Sequence, residues 1–205
     1  MTTTALLRKI NDGHTDLVFQ YLAEATGTPD HGELLRACAY YGDVSAMKYL
    51  LANGATLAAL GQYPLNTAAF HGHWRLCQFL IDSRMPVDDP VADTGETSLH
   101  SAFGHPYGPA YDEVVRVLLA GGANVNAKTI PRVRTEAFTH AKTRGETPLH
   151  RAAAFGTVNA IELLLKHGAE VEAKDANGET PLIWASWHRR PGDILEKLRG
   201  SCAVA

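Results

Sequence analysis

Thr147-Pro148-Leu149-His150-Arg151-Ala152-Ala153 returns 33 residues later as Thr180-Pro181-Leu182-Ile183-Trp184-Ala185-Ser186, and a third copy stands upstream as Thr97-Ser98-Leu99-His100-Ser101-Ala102. Threonine followed by proline suits a helix start, the hydroxyl capping free backbone N–H groups and the proline ring fitting the first turn. A second block recurs further on. Leu118-Leu119-Ala120-Gly121-Gly122-Ala123-Asn124-Val125-Asn126-Ala127-Lys128 matches Leu164-Leu165-Lys166-His167-Gly168-Ala169-Glu170-Val171-Glu172-Ala173-Lys174, and Leu50-Leu51-Ala52-Asn53-Gly54-Ala55 is an earlier copy. Two blocks repeating at a fixed period point to an array of small units rather than one closed core.

Aligning on the signature leucine gives six units, at Leu6, Leu35, Leu65, Leu99, Leu149 and Leu182. Sixteen residues on, five of them carry Leu22, Leu51, Ile81, Leu165 and Leu198. In the fourth the partner is Leu119, twenty residues on, so four extra residues sit near 104–109, in Gly104-His105-Pro106-Tyr107-Gly108-Pro109. Leu99 to Leu149 is 50 residues, and 13 more therefore belong to the connector, at about 130–142. One domain over 1–205 is the expected organisation.

Within a unit, Val158, Ile161, Leu164 and Leu165 form the stripe of a helix with one buried face, and Val44, Met47, Leu50 and Leu51 repeat it. A single helix pair cannot bury such a face alone, but neighbouring pairs can bury it for each other. Gly42, Gly72 and Gly156 are expected to end the first helix of their units in the left-handed conformation, and Gly54, Gly122 and Gly168 the second. Arg8, Lys9, Asp12 and Asp16 at one end, and Glu196, Lys197 and Arg199 at the other, suit polar caps.

The Thr-Pro-Leu-His-x-Ala signature, its 33-residue spacing and the Leu-Leu-x-x-Gly-Ala block resemble the ankyrin repeat, over about Ala5 to Arg199. The resemblance is closest in the last three units; the third has Tyr63-Pro64-Leu65-Asn66 in place of the signature. It implies an all-α solenoid bent into a short crescent, each unit two short antiparallel helices and a hairpin-like connector. It also implies that His100 and His150 hydrogen-bond to neighbouring loops.

Composition narrows the function classes. Of 205 residues, 45% are hydrophobic and 20% charged, which excludes a disordered tail. The formal charge of -3 argues against a sequence-independent nucleic-acid binder. No stretch approaches the ~20 apolar residues that span a bilayer. Charges appear early, at Arg8 and Lys9, with no unbroken apolar run behind them, and Cys38, Cys77 and Cys202 show no metal-type spacing. A cytoplasmic protein is expected, monomeric when free and without cofactor.

Ten histidines raise the question of a metal or a catalytic base. Equivalent positions in adjacent repeats lie about 8–10 Å apart, too far for two ligands each ~2.0–2.1 Å from one zinc ion. Cys77 follows His73 by four residues but aligns with Met47 and Ile161, so a buried, inert thiol is expected. No phosphate loop, nucleophile elbow or zincin motif occurs, and no carboxylate pair is recognisable. Neither a catalytic nor a metal site is expected.

Binding is more legible. Just before the repeat glycine position stand Tyr40-Tyr41, Phe70-His71, Ala154-Phe155 and Trp187-His188. In ankyrin-like stacks these positions look onto the concave face, where rings would bury much area with few rotors; the alternative is packing on neighbouring repeats. Asp82, Asp88, Asp89, Asp93 and Glu96 make one connector acidic, and Lys128, Arg132, Arg134, Lys142 and Arg144 make the next one basic. The two either neutralise each other or leave a basic finger, Ile130 to Arg144, that orients an acidic partner. Glu136 to Lys142 has the composition of a short helix. His105 and Tyr107 lie at the opposite end of the fourth unit. The expected function is recognition of another protein through Tyr40, Tyr41, Phe70, His71, His105, Tyr107, Arg132, Arg134, Phe155, Trp187 and His188. The alternative is an inhibitor or immunity-type protein that occludes an enzyme.

Overall fold

The computed structural model describes residues 2–25, 29–104, 108, 110–135 and 141–200. They form an all-α array of twelve helices. In chain order these are α1 (Thr3–Asn11), α2 (Val18–Glu24), α3 (His31–Tyr40), α4 (Val44–Ala52), α5 (Pro64–Phe70), α6 (Trp74–Asp82), α7 (Ser98–Ser101), α8 (Ala110–Ala120), α9 (Pro148–Phe155), α10 (Val158–Lys166), α11 (Pro181–Trp187) and α12 (Gly192–Gly200). The chain divides into two compact units, 1–64 and 65–205.

The first unit holds two helix pairs, α1 with α2 and α3 with α4, and α1 also packs on α3 as α2 does on α4. Leu6, Ile10, Val18, Leu34, Leu35, Cys38, Met47 and Leu50 are its buried core. Asp30 and Asp43 cap α3 and α4 by accepting the Glu33 and Ala46 amides at 3.0 Å. Arg8, Lys9, Asp12 and Asp16 are exposed, as a polar end requires.

The second unit continues the scheme. Its outer helices pack in series, α6 on α8, α8 on α10 and α10 on α12, while α7 packs on α9 and α9 on α11. The seam is apolar: Leu80, Leu99, Leu118, Leu149, Ile161 and Leu164 are fully buried. In three repeats the residue before the aligned leucine or isoleucine is the more buried, since Leu50, Leu80 and Leu164 are buried while Leu51, Ile81 and Leu165 are half-buried, whereas Leu119 and Leu198 are themselves buried. Inner helices are lined with Ala152, Ala153 and Ala185, whose small side chains let backbones approach.

The glycines correct one expectation. Gly42, Gly72, Gly54, Gly122 and Gly168 take the left-handed conformation, but Gly156 is extended at φ -79° and ψ 177°. Its requirement is space, because a Cβ there would lie 2.8 Å from the Ala152 carbonyl oxygen. Conversely, Arg84 (φ 67°) stands three residues after Ile81, where Gly54, Gly122 and Gly168 follow their own leucines, and Arg189 (φ 51°) follows Trp187-His188 where other units have glycine.

Candidate functional site

Each signature histidine closes the start of its own helix and reaches the next repeat. The Thr97 amide donates to His100 Nδ1 at 3.2 Å, and Thr147 donates likewise to His150 Nδ1 at 3.2 Å. An amide can only donate, so Nδ1 must be an acceptor and the proton sits on Nε2. From there His100 donates to the Glu146 carbonyl at 3.2 Å and His150 to the Glu179 carbonyl at 3.0 Å. Burial, with Arg151 next in weight, pushes the His100 pKa down to about 3, and burial pushes His150 down as well. Both are neutral connectors between repeats, as the resemblance implied. Among the described residues no His, Cys, Asp and Glu cluster could hold a metal ion.

Around His100 lies a charged node that the sequence reading missed. Arg151 is fully buried. One of its terminal nitrogens lies 2.6 Å from a Glu96 oxygen and 2.6 Å from Glu146 Oε1, its Nε donates to Glu146 at 3.0 Å, and Nη1 donates to the His100 carbonyl at 3.3 Å. Two carboxylates thus share one guanidinium, where no pair was recognisable. Burial pushes the Glu146 carboxyl up, but Arg151, the Thr129 hydroxyl and the Arg144 amide outweigh that and hold it well below the usual carboxylate range. A signal was present: Gly95-Glu96-Thr97, Gly145-Glu146-Thr147 and Gly178-Glu179-Thr180 put the same acid before every strong signature. Glu96 thus forms its ion pair with Arg151 of α9, while Arg144 pairs with Glu179 at 3.3 Å.

The basic connector is a narrow hairpin fixed at its base. Arg132 donates its amide to the Thr143 carbonyl at 2.6 Å, Thr143 to Val133 at 2.8 Å and Thr135 to Ala141 at 3.2 Å, and Arg134 bridges Lys142 in antiparallel sense. Ala141 and Lys142 are thus part of the hairpin rather than helical; Glu136 to His140, the rest of the expected helix, fall outside the described residues. Alternation sorts the side chains: Arg132 and Arg134 face solvent while Thr135 is buried. The Thr135 hydroxyl donates to the Glu96 carboxylate at 2.8 Å and Thr129 to Glu146 at 2.7 Å, and the Ile130 amide reaches the Thr94 carbonyl at 2.7 Å. The acidic and basic connectors do adjoin, through this base.

Beside the hairpin the aromatic residues of two adjacent repeats meet. Phe155 and His188 contact edge-on at 4.6 Å between ring centres. Trp184 is buried and donates its indole N–H to Asp175 at 3.1 Å, whereas Trp187 is 56% exposed. The Arg144 guanidinium lies 5.7 Å from the Trp184 ring centre and 5.6 Å from that of Trp187, within cation–π range. Arg190 donates to the Ala154 and Gly156 carbonyls, which caps the end of α9 and fixes Phe155. Burial, then the positive charges of Arg190 and Arg144, push the His188 pKa down. The expected site residues Phe155, Trp187 and His188 are therefore brought together with the finger.

The other candidates are more dispersed. Phe70 and His71 meet edge-on at 5.4 Å, and both are half-buried. In the first unit, Tyr40 is 55% and Tyr41 40% exposed. The Tyr41 hydroxyl donates to the Asn11 carbonyl at 3.0 Å and its ring faces Gly13, so this ring also packs between repeats. His105 and Tyr107 fall outside the described residues. Cys38 and Cys77 are free, buried thiols, and burial pushes both pKa values up to about 12, so neither is an activated nucleophile. No described helix is long and apolar enough to cross a membrane.

These paired helices, hydrogen-bonded from one repeat to the next, define a helical-repeat protein. The family profile described as "Ankyrin repeats (3 copies)" matches residues 34–129 and 133–202, and the chain belongs to that family. It is 36% identical over 118 residues to ankyrin repeat and KH domain-containing protein mask of Drosophila melanogaster, covering 58% of this chain and 2% of that protein. It is 33% identical over 116 residues to ankyrin repeat domain-containing protein 63 of Mus musculus, covering 56% of this chain and 26% of the relative. Ankyrin repeat and SOCS box protein 16 of Homo sapiens is 30% identical over 177 residues, 81% of this chain and 36% of that protein. The chain thus spans much less than two thirds of each of these relatives. Ankyrin repeats generally mediate protein–protein interaction.

Proposed function

We propose that this chain is a non-enzymatic module that binds another protein through the ring-bearing ends of its inner helices and through the basic connector. One observation carries the reading: Trp187, a large ring left 56% exposed, stands against Arg144 at the foot of the hairpin, beside Phe155 and His188. Large rings with neighbouring arginine are the residue types that anchor interfaces. The hairpin's arginines would steer and orient an acidic partner. Rigid helices hold these side chains in place beforehand, so little ordering entropy is lost on binding. Free, buried thiols at Cys38 and Cys77 suit a reducing compartment.

The test is affinity capture of partners from the native cell by the full chain, with mass spectrometry. Wild type is compared with a variant carrying Tyr41→Ala, Phe155→Ala and Trp187→Ala. Loss of the captured protein with an unchanged far-UV CD spectrum is expected. Undiminished capture by the variant would overturn the reading, and so would collapse of its unfolding midpoint, which would make the rings core.

A further inference from the structure

Two open clefts flank the returning arm of the hairpin. One, of about 220 Å3, is walled by Phe155, Trp184, Trp187 and His188 and closed by Lys142 and Arg144. The other, of about 340 Å3, lies over Arg132, Lys142 and Arg144 beside Ala176 and Asn177. Ala141, Lys142 and Arg144 belong to both. The first is a cleft of rings, and an apolar cavity of about 150 Å3 already admits a benzene ring. The second is a cationic shelf.

Charge selects the occupant. A cation in the ring cleft would compete with Arg144, which already lies over both tryptophans, and would meet Lys142. Among the described residues the acid lining the cleft is Glu146, and it is fully engaged: Oε1 is held by Arg151, and Oε2 by the Thr129 hydroxyl and the Arg144 amide. A purely apolar occupant would leave the shelf of Arg132 and Lys142 without a counter-charge. We infer that the two clefts together take an acidic peptide segment of a partner protein, with one aromatic or large aliphatic side chain among Phe155, Trp184 and Trp187 and a neighbouring carboxylate on Lys142 and Arg132. This rests on the partner-binding reading above and adds the chemistry of what is bound.

A random peptide library displayed on phage is panned against the full chain. Enriched peptides are then titrated by fluorescence polarisation against wild type, Trp187→Ala, Lys142→Glu and, in the first unit, Tyr40→Ala. Aspartate or glutamate next to a large apolar residue is the expected consensus. Trp187→Ala and Lys142→Glu should each weaken binding at least about tenfold, a typical anchor effect, with CD unchanged. A basic or uncharged consensus, affinity indifferent to both substitutions, or no enrichment overturns the inference. Binding that responds to Tyr40→Ala alone sinks the acidic-peptide assignment yet leaves recognition through helix-end rings standing. Native-partner capture that ignores the ring substitutions sinks that broader reading.

Discussion

At Arg84 a single side chain holds a backbone conformation that glycine holds elsewhere. Its φ of 67° is the value class of Gly54, Gly122 and Gly168 at the same place in their repeats. A side chain in that conformation costs about 1–2 kcal/mol, part of which glycine loses again through its freer unfolded chain. Arg84→Gly should therefore stabilise the protein by about 0.5–1 kcal/mol, read as a raised urea midpoint; a lowered midpoint would show that the arginine side chain makes up the difference. Arg151 is the opposite case. Its removal leaves Glu96 and Glu146 buried without their counter-charge. Arg151→Met should cost about 3–5 kcal/mol in equilibrium unfolding, the range for breaking one side of a buried pair, and a loss under about 1 kcal/mol would show that the node is not a shared charge site.

Among the elements, the helices were the legible part. The 3.6-residue stripe in Val158–Lys166 and the Thr-Pro start of α9 and α11 specify local structure directly, and both are where the pattern puts them. The hairpin is not legible, although Arg132-Val133-Arg134-Thr135 alternates out and in, because composition there suggests a basic finger and a short helix instead. Its dependence on Glu96, 39 residues away from Thr135, has no local signature at all. The connector is long enough that length itself costs little, but its base is bonded into the core. Thr135→Val keeps the shape and removes a hydroxyl donor to a carboxylate. It should destabilise by about 1.5–3 kcal/mol, measured by urea denaturation; an unchanged midpoint would make the hairpin a passive appendage. The candidate rings were legible as residue types, whereas the meeting of Phe155, Trp187 and His188 with Lys142 and Arg144 depends on how that hairpin lies across two repeats.

For the molecule as a whole, acid is the telling variable. His100 is neutral when folded, with a pKa of about 3, and takes a proton near pH 6.5 once unfolded. The unfolded chain therefore binds more protons between those values, and the stability of the fold falls as pH drops through that window. His150, lowered by burial, acts in the same direction. Glu146, lowered below its ordinary 4.5, adds stability that is complete above that value and drains away beneath it. The urea midpoint should be highest above about pH 7 and decline steadily on acidification, with each histidine contributing a slope of up to about 1.4 kcal/mol per pH unit. A midpoint flat between about pH 7 and about pH 5 would contradict the neutral, buried assignment of the two rings.

The shared guanidinium also constrains how this sequence can drift. Exchanging Arg151 alone strands two buried acids, whereas exchanging either acid alone still leaves the guanidinium one partner, and a concerted swap of all three for well-fitting apolar residues can leave a fold as sturdy as before. Descendants of this chain should therefore seldom keep both acids after losing the guanidinium, while forms that keep Arg151 with one acid remain open to them.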